Sequence, residues 1–385
     1  MRLMKYLGLS TSLLSPLVMA HDGHIHANDD LSWKGSLFAQ IGYFDSSNST
    51  QNTAIPGVLL GSEAHHHEKG LQLMHGELAL TVKAESMLTG NIIIGSHHGE
   101  SLDIEELWLQ PDITESIKLR LGTQLSDIGL YNAYHDHDWV FMDANLSQQA
   151  FLAGQYRDDS LHFSWLGNNQ TIATWVGRGS AYPASTQTDS SSPHAYGASY
   201  QWHWNSDTIS GRIKTSFAHF KASQRGNDNN DGHNHSHGNI PTISFTGNTN
   251  LITLGSQWQW KSLGWDIEWM TQNIDAEITD AQQIKAKLDA TQQGISSQAY
   301  WNWDKLQIAL RYDTLITNNK VTKKSTDFEQ ALNSQGHSPE RISLAFNWRF
   351  QENQQIRLQG NYDKTQQEEQ QQFWLVYQGT LNYTP

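Results

Sequence analysis

The chain contains no cysteine in 385 residues. That excludes a disulfide scaffold and every thiolate metal site, so a bound metal would have to rely on His, Asp, Glu or water. Basic charge is also scarce: 25 Lys and Arg stand against 39 Asp and Glu, a formal −14 with His neutral. This balance argues against a nucleic-acid partner and against docking on anionic headgroups, and it suits passage of cations. Long apolar runs are missing beyond the N-terminus, so no membrane-spanning helix is expected. A secreted soluble protein would share these absences, and the periodicity of the chain argues otherwise.

Residues 1–20 carry Arg2 and Lys5, a short apolar stretch, and Val18-Met19-Ala20 as a small-residue cleavage site. They read as a secretory signal, with a mature chain expected from His21. A histidine-containing periplasmic segment, 21–31, is expected to follow, and then one barrel domain over 32–385.

From there, apolar and polar residues alternate at period two. In RISLAFNWRF (341–350), Ile342, Leu344, Phe346, Trp348 and Phe350 share one face, and Arg341, Ser343, Asn347 and Arg349 the other. The same rhythm runs through 305–316 and 355–363. The segments have about the ten residues a tilted strand needs to cross a bilayer.

The pattern places strands near 32–44, 71–85, 88–96, 102–110, 116–125, 159–167, 170–178, 194–204, 208–222, 243–260, 263–277, 294–303, 304–316, 340–350, 355–365 and 372–383. Connections after odd strands are mostly long and polar, namely 45–70, 126–158, 179–193, 223–242, 278–293 and 317–339, whereas those after even strands are short turns. Trp33, Trp202, Trp204, Trp258, Trp260, Trp265, Trp301, Trp303 and Trp348 all fall at the short-turn end, where indoles favour the headgroup boundary. The expectation is an all-β transmembrane antiparallel barrel of about 16 strands, 14 to 18, in a Gram-negative outer membrane. Outer-membrane lipid is its expected partner, and a homotrimer is a compatible assembly.

On this topology the histidines sort by position. His65, His66 and His67 fall on the first outer loop, His97 and His98 on the second, His135 and His137 on the third, and His233, His235 and His237 on the fifth. His21, His24 and His26 form a cluster on the periplasmic side. Imidazole suits zinc, copper and nickel, and histidine-rich tracts are a compositional metal signal. His75, His162, His203 and His219 lie within strands, where packing or solvation is the expected role.

The segment IEELWLQ, LRLGTQLSDIGLYNAYHDHDWVFMD and QQAFLAGQY, within 104–157, resembles a group of His-rich proteobacterial outer-membrane barrels. These are of the phosphate-selective porin O/P-like type, a group linked with zinc uptake. The matching positions are Gly129, Asn132, His135, His137, Trp139, Asp143, Gln149, Phe151 and Leu152. The resemblance implies a porin channel, yet the third loop lacks the lysine array of the anion-selective members and shows Asp127, Asp136, Asp138 and Asp143 instead.

By analogy with porins, 126–158 is expected to fold into the lumen as a constriction. Arg311, Arg341, Arg349 and Arg357 would form a basic wall opposite its acids. Alternatively, these arginines simply neutralise lumenal acids such as Asp313 and Asp363.

The function expected from these features is a porin-like channel whose histidine-rich mouth captures a divalent metal, zinc first, and passes it to the periplasm. Zinc is then ligand or cargo, and no cofactor is required. Metal binding is expected to weaken as pH falls through about 6.5, where imidazole gains its proton. The main alternative is a general or anion-selective porin with incidental histidines, followed by a surface adhesin. An enzyme is not expected, since no Gly-x-Ser-x-Gly or comparable nucleophile motif occurs. An energised 22-stranded receptor would need a longer chain with a plug domain.

Overall fold

The computed structural model describes residues 31–47, 55–59, 69–84, 87–99, 101–184, 193–226 and 243–385. The 1–20 segment, His21, His24, His26, His65, His66, His67, His233, His235 and His237 lie outside the described residues.

The chain forms sixteen strands. They are β1 (Leu31–Ser46), β2 (Gly70–Ala84), β3 (Leu88–His97), β4 (Asp103–Pro111), β5 (Ile117–Leu125), β6 (Arg157–Leu166), β7 (Gln170–Gly177) and β8 (Ala195–Asn205). The second half comprises β9 (Ile209–Arg225), β10 (Ser244–Trp260), β11 (Leu263–Thr279), β12 (Lys285–Trp303), β13 (Leu306–Val321), β14 (Glu340–Gln351), β15 (Gln354–Lys364) and β16 (Gln370–Tyr383). Two short helices, α1 (Leu146–Leu152) and α2 (Thr326–Leu332), sit in outer connections.

Every strand pairs with its sequence neighbours, and β1 closes on β16 with Gly35–Ser46 against Gln372–Tyr383. Closure leaves no sheet edge, which is the condition for a β-structure in hydrocarbon, where an unpaired backbone group has no water to turn to. No helix among the described residues is long and apolar enough to cross a membrane; the strands do the crossing.

The alternation read from the sequence reappears as two faces. On β14, Ile342, Leu344, Phe346 and Trp348 are exposed on the outside, and Arg341, Ser343, Ala345 and Asn347 are buried inside. Trp33, Trp202, Trp258, Trp260, Trp265, Trp301, Trp303 and Trp348 are exposed near the short-turn end. The outer face carries a test. Leu344→Arg puts a charge on lipid near mid-strand and should destabilise the barrel by about 2–4 kcal/mol. Guanidinium unfolding in vesicles reads this as a lowered midpoint.

One connection differs from the sequence pattern. Residues 278–293 read as a long polar loop, but β11 runs to Thr279 and β12 begins at Lys285. The strands continue above the bilayer, and there the faces exchange roles. Ala286, Leu288 and Ala290 point inward and join Phe328 and Leu332 of α2 in one cluster. Lys285 and Lys287 point outward and pair across the sheet with Glu277 at 2.8 Å and Asp275 at 3.2 Å. Outside the membrane, water replaces lipid around the wall, so the polar face turns out. A reading that seeks apolar residues on the outer face ends the strand too early.

Parts of the outer connections pack against the inside of the wall. Ile55 and Val58 of the first connection, Leu146, Phe151 and Leu152 of α1, and Tyr156 form a buried cluster with Trp175, Phe220, Met270 and Leu315 of the wall. Apolar burial thus holds the third connection, 126–156, inside the barrel.

Candidate metal centre in the lumen

Segment 126–156 runs around the inside of the barrel and is anchored at each side by polar contacts. Asp127 meets Lys214 on β9 and Ser199 on β8. Gly129 takes φ +60°, where a side chain would be strained, and its N–H donates to Ser216 Oγ at 2.7 Å. Tyr131 OH donates to Asp266 of β11 at 2.8 Å.

On the far side, Arg357 Nη2 donates to the Trp139 and Val140 carbonyls at 2.7 and 3.0 Å. Asp143 accepts from Arg311 Nη2 at 2.7 Å and lies 3.0 Å from Arg341 Nη1. Gln359 and Asn361 donate to the same carboxylate at 2.7 and 2.9 Å. Burial works to raise the Asp143 pKa, but Arg311 and then Arg341 outweigh it and hold the carboxyl below its ordinary value.

This differs from an eyelet of acids facing bases across a gap. Arg311 and Arg341 touch Asp143 directly and also pair with Asp313, at 3.0 and 3.4 Å. Arg357 is bound to loop carbonyls. Arg349 does not join this set: it lies at a register shift between Trp348 and Gln351, close to the short turn, and is exposed. Asp127 and Asp136 meet other parts of the wall and Asp138 lies 3.8 Å from His137 of its own loop, so of the four loop acids it is Asp143 that pairs with the arginines.

Between these anchors, the short helical turn Asp136–Asp138 sits against β2 and β3, and His135 just before it meets β4. His75 Nε2 is 3.1 Å from Glu77 and 3.1 Å from Glu105, while its Nδ1 faces Asp136 at 3.2 Å. His97 Nε2 is 3.0 Å from Glu105, and its ring stacks on His75 at 4.2 Å. His135 Nδ1 lies 3.4 Å from Glu77 and 3.5 Å from Glu105, and its Nε2 meets Glu106 at 3.2 Å. His137 Nδ1 is 3.1 Å from Glu77, with Phe38 stacked on the ring at 4.2 Å.

Two β-bulges build this cluster. Gln40 pairs with His75 and Ile41 with Leu73, which leaves Met74 extra; Met74 and His75 are both buried in the interior. On β4, Ile93 pairs with Glu106 and Ile94 with Ile104, so Glu105 is the extra residue. Each bulge breaks the strict alternation and turns an additional side chain inward, the way bulges re-aim groups beside functional sites. Gly95 makes room: a Cβ there would fall 1.8 Å from Glu105 Oε1.

Electrostatics bind the loop to the wall. Burial lowers the His135 pKa, but contacts with Glu105, Glu106 and Glu77 outweigh it, and the value stands well above the ordinary 6.5. For His137, Glu77 likewise overcomes burial and raises the value. Burial raises Asp136, yet His75 prevails and holds it below the usual carboxylate range. His75 Nδ1, Glu77 Oε1 and His137 Nδ1 are buried without a hydrogen bond of good geometry, although each lies within ion-pairing distance of a partner. Once the imidazoles lose their protons, such under-satisfied nitrogen and oxygen atoms can turn a lone pair toward a cation.

Three sets have one ligand atom from each residue within 4.8 Å of one another: His75, His97 and Asp136; His75, Glu77 and His137; and Glu77, Glu105 and His135. The structure therefore unites His97, His135, His137 and Asp136 with residues that the sequence reading passed over. His75, expected to be a packed or solvated strand histidine, is shared by two sets, and Glu77, Glu105 and Glu106 were not singled out. The signal was present: exposed Leu71 and Leu73 give way to exposed Leu78 and Leu80, and Ile104 to Leu107 and Leu109, so the apolar parity switches at each bulge. His98 stands apart, with Nδ1 3.2 Å from Gln72.

No family model matches the chain, and no curated protein is similar to it in sequence. Solved structures are similar. A loop L8 deletion mutant of OmpT, an outer membrane protein of Vibrio cholerae, has a TM-score of 0.59 at 10% identity over 91% of this chain and 99% of that one. The in-vitro folded trimer form of the Vibrio cholerae OmpT has a TM-score of 0.56 at 9% identity, over 91% and 99%. The outer membrane channel DcaP of Acinetobacter baumannii has a TM-score of 0.59 at 10% identity, over 91% and 97%. At such identities the likeness is one of fold. The chain is a 16-strand barrel of the Gram-negative outer-membrane type.

Proposed function

We propose that this barrel is an outer-membrane channel that captures a divalent cation, zinc foremost, at the wall-to-loop centre and passes it toward the periplasm. The observation that supports this is the convergence of four imidazoles and three carboxylates on one lumenal spot, in three overlapping ligand sets. Nitrogen and oxygen donors without thiolate suit zinc, nickel or copper in their divalent state. The histidines of the outer loops would concentrate the ion above this centre. As proposed here the chain is a conduit without a catalytic role, and a homotrimer in lipid is its assembly.

A general diffusion porin is the competing reading, because the fold alone fits it equally well. Reversal potentials in planar bilayers under a KCl gradient separate the two. The proposal expects cation preference and a current reduced by micromolar zinc; anion preference indifferent to zinc would sink it.

The pH dependence follows from the loop histidines. His135 and His137 hold their protons above 6.5, and zinc must displace those protons to bind. Zinc affinity should therefore already weaken as pH falls toward 6.5, a higher onset than free imidazole gives. Calorimetric titration with zinc between pH 5.5 and 8.5 measures this, and an affinity flat across that span would contradict it.

A further inference from the structure

We infer that the centre is a run of three cation positions, with two separate end positions and a transfer position between them that borrows one ligand from each. This deepens the channel reading above and rests on it.

The membership of the sets carries the argument. His75, His97 and Asp136 share no residue with Glu77, Glu105 and His135, whereas the set of His75, Glu77 and His137 takes His75 from the first and Glu77 from the last. Glu105 Oε1 also lies 3.1 Å from His75 Nε2 and 3.0 Å from His97 Nε2, so two cations occupy the ends together only when Glu105 turns toward His135, and the middle can fill only by taking a ligand from an end. An ion moving from the first position to the last keeps one ligand at each step and is never bare.

The strands give the run its direction. β2 descends from an outer connection to a short turn, so His75 lies above Glu77. The register sets His97 level with His75, and Gly95, against which Glu105 packs, level with Glu77. The two levels are two strand residues apart, about 7 Å along β2. The first set thus faces the mouth and the last faces inward. Beyond the last, Glu106 accepts from Asn91 at 3.3 Å, and Asn91 accepts from Thr81 at 2.7 Å, which continues an oxygen-lined wall toward the periplasmic end.

Conduction needs several sites, each weak enough to release its ion. Shared ligands meet that need, because filling one position weakens its neighbour. His137 takes part in the middle set alone. It is therefore the residue at which holding and passing an ion can be told apart.

The test uses the full-length barrel in nanodiscs and in liposomes, with zinc chloride as the probe. Binding stoichiometry comes from calorimetry, and flux from a dye trapped in the liposomes. Relative to the parent chain, His97→Ala and Glu105→Gln should each lose one bound zinc, and the double variant two. His137→Ala should lose none at saturation but carry at least tenfold less zinc. If each end variant loses both ions, the centre is a single site; if His137→Ala loses an ion or keeps full flux, there is no transfer position. Either result overturns the inference while leaving a metal centre in place. A double variant that binds as much zinc as the parent would instead remove the metal reading itself. Heat-modifiable migration on gels checks folding, and His97→Gln and His137→Gln replace any alanine variant that fails to fold.

Discussion

Asp143→Ala is expected to loosen the lumenal loop 126–156 and destabilise the barrel by about 3 kcal/mol, the lower end of the range for breaking a buried ion pair. The carboxylate is buried against Arg311 and Arg341. Its loss leaves two buried guanidiniums with fewer acceptors. The lower end applies because Asp313 stays 3.0 Å from Arg311, and Asp363 stays 3.9 Å from Arg341. A depressed carboxyl pKa contributes stability that is present above the unfolded value and is lost as pH falls through the folded one. The parent barrel should therefore approach the variant in stability only under strongly acid conditions. Single-channel recording should show higher and noisier conductance, and the loop should become open to protease. A variant with parental conductance and unfolding midpoint would show that the arginine clamp does not hold the loop.

The same pairs show how far the sequence could be read. Period-two alternation exposes the wall residue by residue wherever lipid lies on one side and the lumen on the other, as on β14. It fails at Lys285–Gln293, where the strand leaves the bilayer and the polar face turns outward. It fails again at Met74 and Glu105, because a bulge inserts one residue and reverses the parity of everything beyond it. Those two reversals decide the site. With unbroken alternation from Leu71 and Leu73, His75 and Glu77 would share the lipid face.

Long-range partners were beyond reach for another reason. Asp136 meets His75 across 61 positions of sequence, and Asp143 meets Arg311 across 168. Loop acids and wall arginines could be named from their types, but the way the loop winds around the lumen depends on apolar packing of Leu146, Phe151 and Leu152. Nothing in the charge pattern specifies which acid reaches which base. Arg349 shows the limit: it shares the strand parity of Arg341, but it falls at the register shift and is exposed instead of buried among the lumenal acids.

His75→Ala should have the largest effect on metal binding, because His75 belongs to two of the three ligand sets. Loss of a group that merely supports a ligand costs roughly 10–100-fold in affinity, and loss of the shared ligand should exceed the upper figure. Thermal shift makes the difference visible. Zinc at 100 times its dissociation constant stabilises by about 2.7 kcal/mol, and a 100-fold weaker site at the same zinc concentration gives only about 0.4 kcal/mol.

The shift should also depend on pH with a definite sign. Without zinc, protonated His135 and His137 neutralise Glu77 and Glu105. Raised histidine pKa values give stability that is fully present below 6.5 and is lost as pH rises through the folded values. Above that range the carboxylates face neutral rings, and zinc supplies the missing positive charge. Stabilisation by zinc should therefore be greater at pH 8 than at pH 6 in the parent chain and nearly level in His75→Ala. If instead the parent gained most at pH 6, or the variant kept the parental shift, the lumenal centre would not be where zinc binds. The outer-loop histidines would then be the place to look.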